Sequence, residues 1–156
     1  ESDGNGFSAC IASMDQSNRR AVAILQHCQV NALTDVTGFG LLGHLGEITR
    51  ASGLSAQLGV SSLPILPGTE AAMLAGIRSS LHAANQQALV DYAIPQPMLA
   101  DARLGVLVDP QTSGGLLATI PAVKADECVQ ALRQAGYTEA AIVGQITAAG
   151  SSQITA

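Results

Sequence analysis

The sequence predicts an α+β domain with a mixed sheet. Hydrophobic residues make up 47% of the 156 residues, enough to build one core in a chain of this length. Apolar stripes with helical spacing and short strand-like runs both occur along the chain. Their order mixes paired strands with helices, which favours α+β over a doubly wound parallel sheet.

Charge and cysteine content exclude several classes of protein. The chain has 12 acidic and 7 basic residues and no basic run, which argues against a nucleic-acid-binding patch. No apolar run reaches the roughly 18 residues of a membrane span, and no secretory signal is present. We therefore predict a cytoplasmic protein that binds no membrane. Cys10, Cys28 and Cys128 have neither zinc-site nor redox-motif spacing, so we expect reduced thiols that mostly fill the core.

The first third of the chain predicts a linker, a helix and a strand. Residues 1–13 are polar and rich in Gly and Ser, so we predict a linker there and a domain over residues 14–156. Asp15 is placed to cap the first helix. The apolar stripe of that helix comprises Ala21, Val22, Leu25 and Cys28. A short strand follows over residues 31–36.

A second helix, a strand and a less regular region come next. The second helix ends at Gly53, and its buried face comprises Leu41, Leu42, Leu45 and Ile48. Residues 54–60 alternate between apolar and polar, which predicts a half-buried strand. A short helix is expected near residues 69–75. Residues 76–100 are weakly periodic, so we predict loop with one helical turn near residues 84–89.

The last third of the chain predicts strands around a tight loop. Residues 104–108 are continuously apolar and predict a central strand, and residues 116–120 predict another. The run Asp-Pro-Gln-Thr-Ser-Gly-Gly at residues 109–115 forms the loop between them.

A helix and two strands are expected to complete the domain. Pro121 opens the helix and Gly136 closes it. Its predicted apolar face comprises Val123, Cys128, Val129 and Leu132. Residues 140–146 and 152–156 look like a closing pair of strands around Gly150.

The segment of residues 34–40 is the first candidate site. Asp35 stands in an otherwise apolar stretch, where an ionised carboxylate is costly unless it is paired or binds a metal. Mg²⁺ prefers one or two protein carboxylates together with substrate phosphates. Thr37, Gly38 and Gly40 lead into the helix, where free N–H groups and close backbone approach favour an anion. The alternative is that Asp35 only caps that helix or forms an Asx turn.

The segment of residues 109–115 is the second candidate site. Thr112 and Ser113 offer hydroxyl groups, and Gly114 permits unusual backbone angles, so this loop could line a phosphate site. The alternative is an ordinary tight connection. For His44, which has apolar neighbours, a structural role is favoured over a role as base or ligand.

Both segments resemble the selenophosphate synthetase family. Residues 34–45, Thr-Asp-Val-Thr-Gly-Phe-Gly-Leu-Leu-Gly-His-Leu, are similar to the signature that opens the second half of these enzymes. Residues 109–117, Asp-Pro-Gln-Thr-Ser-Gly-Gly-Leu-Leu, are similar to the second signature of that half. The run of residues 18–31, a helix that leads into the Thr-Asp pair, also looks like the family, and the resemblance spans about residues 14–147.

The resemblance implies a fold, a reaction and one site residue. The fold would be the layered α/β/α C-terminal domain of the aminoimidazole ribonucleotide synthetase type, with partial ferredoxin-like topology. The family converts selenide, ATP and water to selenophosphate, AMP and phosphate with Mg²⁺, for selenocysteine and selenouridine synthesis. Asp35 matches the family's Mg²⁺ ligand in this domain.

The resemblance also implies what lies outside this chain. The family's Cys or selenocysteine nucleophile, its Lys and its other metal-binding aspartates belong to an N-terminal ATP-binding domain, so no catalytic residue is expected here. The family forms a homodimer, and we expect an exposed apolar surface where the N-terminal domain docks. Two alternatives stay open: another ATP-using member of the superfamily, such as thiamine-monophosphate kinase or a hydrogenase-maturation protein, or a non-catalytic dimerisation or interaction domain.

Overall fold

The computed structural model describes residues 4–156. Its α-helices are α1 Gly4–Asp15, α2 Arg19–His27, α3 Gly40–Ser52, α4 Thr69–Leu74, α5 His82–Asn85, α6 Ala102–Val108 and α7 Ala125–Gln134. Its strands are β1 Ala32–Asp35, β2 Ser55–Gly59, β3 Tyr92–Ala93, β4 Leu116–Thr119, β5 Gly144–Thr147 and β6 Ser152–Thr155. Short 3₁₀ helices cover Val60–Ser62, Gln86–Asp91, Gln96–Ala100 and Ala122–Lys124.

The strands form two separate sheets. β1 pairs with β4 in an antiparallel two-stranded sheet. The other sheet has the order β3-β6-β2-β5, in which β2 is antiparallel to β5 and parallel to β6. Together with the helices, this mixed sheet confirms the predicted α+β class.

Two apolar clusters hold these elements together. The larger joins α3 and α6 to the four-stranded sheet, and its fully buried side chains include Leu42, Leu58, Leu107 and Ile154. Burying each such side chain stabilises the fold by about 2 kcal/mol relative to leaving it exposed. The smaller cluster comprises Leu25, Cys28 and Cys128 with β1 and β4 residues around them. It fixes the two-stranded sheet beneath α2 and α7.

The prediction of a central strand at residues 104–108 is wrong, because α6 occupies this segment. Asp101 begins the helix by accepting a hydrogen bond from the Arg103 backbone N–H at 2.9 Å. Leu104, Leu107 and Val108 are all buried, since α6 packs against α3 and α4. A short helix covered on several sides carries the same continuous apolar run as a buried strand, so periodicity cannot separate the two.

The linker predicted for residues 1–13 is helical from Gly4 onward, and its first three residues lie outside the described part of the chain. Asp15 is the last residue of α1 and does not cap the next helix, which follows Asn18. The division of the chain into linker and domain stays a prediction.

Three further expectations need correction. Pro121 is followed by a 3₁₀ turn rather than an α-helix, and Val123 in that turn is 93% exposed. The two closing strands do not pair with each other, because β2 lies between β5 and β6. The region of residues 76–100 contains α5, two 3₁₀ helices and β3, more structure than the single turn predicted.

The remaining predicted elements are confirmed within a few residues. They are α2, β1, α3, β2, α4 and β4. Gly53 ends α3 with a φ of 65°, the left-handed conformation that glycine adopts without steric cost.

Candidate functional site

The two motif segments lie side by side in the structure. β1 and β4 are antiparallel neighbours, with Asp35 opposite Leu116. Beyond the strands, the Val36 N–H donates to the Gly115 carbonyl at 2.9 Å. The Gln111 N–H donates to the Thr37 carbonyl at 3.1 Å. The fold therefore joins residues 34–40 and 109–115 into one surface, although they are far apart in sequence.

Asp35 is exposed at the end of β1. Its carboxylate makes no hydrogen bond or ion pair with any residue between 4 and 156. The expectation of an apolar environment for this carboxylate is therefore wrong, and so is the alternative of a helix cap, since α3 begins without a side-chain cap. An exposed carboxylate with no partner keeps both oxygens free for a cation.

Two of the glycines are required by close packing of the chain against itself. Gly40 has a φ of 67°, and a Cβ built there would lie 2.7 Å from the Val108 carbonyl carbon. A Cβ at Gly114 would collide with the Val36 carbonyl oxygen. Gly38 differs, because nothing lies within 4 Å of the position of its Cβ. Of these three glycines, only Gly38 leaves open space beside the backbone.

His44 has a structural role, as favoured from the sequence. Its ring is buried, and its Nε2 lies 3.1 Å from the Thr37 backbone N–H. Because a backbone N–H can only donate, Nε2 accepts and the ring proton lies on Nδ1, 3.2 Å from Glu47 Oε2. The Thr37 hydroxyl is also within 3.3 Å of His44 Nε2. The Thr37 amide is therefore engaged inside the protein.

Thr112 and Ser113 lie at the exposed tip of the second segment. Within residues 4–156, no side-chain hydrogen bond of theirs is seen, so both hydroxyls face solvent unpaired. Both hydroxyls are therefore free to donate or accept hydrogen bonds at this surface.

Sequence reasoning missed two side chains of α5 that contact both segments. Asn85 Nδ2 lies 2.8 Å from the Gly38 carbonyl and 3.0 Å from the Val108 carbonyl. His82 Nδ1 lies 3.1 Å from Asp109 Oδ1, and the His82 ring is only 2% exposed. The sequence does contain one sign of this pair: His82 and Asn85 are three residues apart, a spacing that places both side chains on one face of a helical turn.

The joined segments do not form a complete metal site by themselves. In the described part of the chain, no group of three or more His, Cys, Asp or Glu side chains could hold a metal ion. Asp35 alone still fits the role of a Mg²⁺ ligand, because Mg²⁺ is often held by one or two carboxylates with water and substrate phosphates. Beside the first segment, Phe39, Glu47, Arg50 and Asn85 help to line a groove of about 260 Å³.

Comparison with known proteins identifies the family. Residues 12–156 match the family model described as AIR synthase related protein, C-terminal domain. The chain belongs to this family. As an AIR synthase related domain, it is also similar to several proteins named selenide, water dikinase.

These relatives align with nearly the whole of this AIR synthase related domain. The protein from Pseudomonas straminea is 36% identical over 146 residues, which cover 94% of this chain and 41% of the relative. The protein from Rhizobium meliloti is 42% identical over 151 residues, covering 95% of this chain and 42% of the relative. The protein from Clostridioides difficile is 35% identical over 150 residues. The chain thus spans about two fifths of the length of the relatives it matches.

None of the helices in residues 4–156 combines the length and apolar character needed to cross a bilayer.

Proposed function

We propose that this chain is the C-terminal domain of a selenide, water dikinase, which makes selenophosphate from selenide, ATP and water and releases AMP and phosphate. The observation that carries the proposal is the similarity to proteins of that name, at 36% and 42% identity over more than nine tenths of the chain. The two joined motif segments and the free carboxylate of Asp35 support it.

Asp35 is the residue that would hold Mg²⁺ at the ATP phosphates. When bound, the ion would neutralise negative charge on phosphate oxygens, the main requirement of phosphoryl transfer. Asp35 suits this role because it is exposed and has no protein partner among residues 4–156. The chain has 7 basic and 12 acidic residues, a net charge of −5, so few side-chain cations are present that could take the place of a metal ion.

Six further residues would lie close to the phosphates. Gly38 offers an open backbone approach, and Thr112 and Ser113 offer free hydroxyls. Thr37, Gly40 and Gly114 would act indirectly, because their contacts fix the shape of the two segments. These residues bind and orient, and the nucleophile is supplied elsewhere.

The proposed partners rest on the similarity to proteins named selenide, water dikinase, of which this chain spans about two fifths. ATP and selenide would bind with the help of the protein's own N-terminal domain, and the whole enzyme would be a cytoplasmic homodimer. The 156-residue chain alone would then lack the family's nucleophile and Lys. We expect it to fold without making selenophosphate.

The test compares the 156-residue chain with the full-length protein that contains it. Selenide-dependent AMP formation is measured for both at the same Mg²⁺ and ATP concentrations. We expect AMP only from the full-length protein. AMP formation by the chain alone would contradict the proposed division of labour. ATP consumption by the full-length protein that does not depend on selenide would instead favour another ATP-using member of the superfamily.

A further inference from the structure

The short helix α5 lies against both motif segments and contacts each through a side chain. We infer that Asn85 is a positioning residue, whose side-chain amide holds the Asp35 segment against the start of the 109–115 loop. In doing so it sets the geometry at which Mg²⁺ and ATP are bound. This inference rests on the proposed function.

The contacts of Asn85 satisfy both protons of one amide group. Its Nδ2 is 2.8 Å from the Gly38 carbonyl oxygen and 3.0 Å from the Val108 carbonyl oxygen. Carbonyl oxygens only accept hydrogen bonds, so the amide nitrogen and not the amide oxygen must face them. A single side chain thus joins two backbone positions that are distant in sequence.

Both acceptors stand next to candidate site residues. Gly38 follows Asp35 by three residues, and Val108 directly precedes Asp109. Val108 is also the last residue of α6, whose final carbonyls have no partner inside the helix. Asn85 therefore supplies a donor that neither segment provides for itself.

The surrounding packing leaves little room for adjustment. The Gly40 backbone lies so close to Val108 that an added Cβ would be 2.7 Å from the Val108 carbonyl carbon. At the other end of α5, the buried His82 pairs with Asp109 at 3.1 Å. Because α5 is tied to both segments, a displacement at Asn85 would change the distance between them.

The test uses the full-length protein with Asn85→Ala and the isosteric Asn85→Asp, which has no amide donor. Gln16→Ala is the matched control, because the Gln16 amide also donates to a backbone carbonyl, that of Gly136 at 3.0 Å, away from the motif segments. We expect the Asn85 variants to raise the Mg²⁺ concentration for half-maximal activity by about tenfold or more, as for loss of an outer-sphere partner of a metal site. The rate at saturating Mg²⁺ and ATP should fall by a smaller factor than this rise in the Mg²⁺ requirement. Gln16→Ala should change neither.

An unchanged Mg²⁺ and ATP dependence in a folded Asn85 variant would overturn the inference, since it would leave Asn85 with only a stabilising role.

A second measurement, by NMR, needs neither a variant nor an activity assay. In the NMR spectrum of the wild-type 156-residue chain, both Asn85 side-chain amide protons should exchange slowly with solvent. Fast exchange would overturn the inference even if the enzyme assay succeeds. Absence of selenide-dependent AMP formation by the wild-type enzyme, with slow exchange retained, would count against the proposed function alone.

Discussion

Asp35 is the charged residue among the candidates, and nothing in the described part of the protein engages its side chain. Thr37 is hydrogen-bonded to His44. Gly40 packs against the Val108 backbone and Gly114 against the Val36 backbone. An exposed carboxylate without a partner contributes little to stability, so its replacement can test ligand binding apart from folding.

Replacement of Asp35 by Asn separates binding from folding. We expect Asp35→Asn in the full-length protein to lower ATP turnover by more than the roughly 10–100-fold that loss of an outer-sphere partner costs. The neutral amide loses the charge that holds Mg²⁺. The free energy of unfolding should change by no more than about 0.5 kcal/mol, as for other surface substitutions. Turnover is measured across a Mg²⁺ titration, with thermal melting beside it.

The matched control for Asp35→Asn is Asp126→Asn. Asp126 is also exposed, and it lies in the first turn of α7, outside the motif segments. The two variants change the net charge equally. Equal turnover in both would show that Asp35 is not a metal ligand.

Alanine substitutions at Gly38 and at Gly114 are expected to have different effects, one on ATP binding and the other on stability. Gly114→Ala should destabilise the protein by about 1–3 kcal/mol, because the new methyl group collides with the Val36 carbonyl. Gly38→Ala has open space around it and should leave the melting temperature nearly unchanged while raising the KM for ATP. Melting curves and steady-state kinetics of both variants check this. A Gly38→Ala enzyme with unaltered KM would argue that no phosphate approaches there.

At the scale of elements, α2 and α7 cover the two-stranded sheet through the cluster of Leu25, Cys28 and Cys128. Burial is the main reason that the pKa of the Cys128 thiol rises from 9.0 to about 12, and the neighbouring Cys28 adds to the shift. The cysteines of this cluster are core residues, in line with the role expected from the sequence. No disulfide joins them.

This shift predicts a loss of stability at alkaline pH. Above pH 9 the unfolded chain releases the Cys128 proton while the folded chain keeps it, so stability falls as pH rises from about 9 toward 12. Urea unfolding in reductant at pH 8 and pH 10 measures the slope. Cys128→Ala should be less stable at pH 8, because it leaves a cavity, but should show a shallower fall. Cys10→Ala, on α1, is the control and should retain the wild-type slope.

At the scale of the whole molecule, several large apolar side chains face solvent. On α1 they include Phe7 at 65% and Ile11 at 48% exposure, one turn apart on the same face. Leu74, the last residue of α4, and Ile77, just after the helix, are 76% and 66% exposed. Such exposure fits the expectation that another domain covers part of this surface.

We therefore expect the 156-residue chain to bind the dye ANS and to self-associate. Phe7→Gln together with Ile11→Gln should reduce dye binding without loss of the fold, because both side chains are largely exposed. Fluorescence titration and light scattering measure the two effects. A strictly monomeric wild-type chain that binds no dye would contradict the expectation.

Local patterns predicted those parts of the fold whose signal lies within a few residues. The apolar stripe of α3 was predicted from its helical spacing. The end of α3 was predicted from Gly53, which adopts the left-handed conformation. The apolar run of residues 104–108 carried no such signal, because burial on several sides removes periodicity from a strand and a short helix alike. Its assignment as a strand was wrong for that reason.

The sequence by itself determined the two motifs, the α+β class and the candidate residue Asp35, since each depends on residue identity and short-range spacing. Only the tertiary structure decided that the motif segments share one surface and that α5 ties them together. It also decided that Gly40 and Gly114 serve close backbone packing. These features come from contacts between residues distant in the chain, such as that of Asn85 with Gly38 at a separation of 47 residues. Such contacts depend on which elements meet when the whole core closes, and no local pattern encodes that meeting.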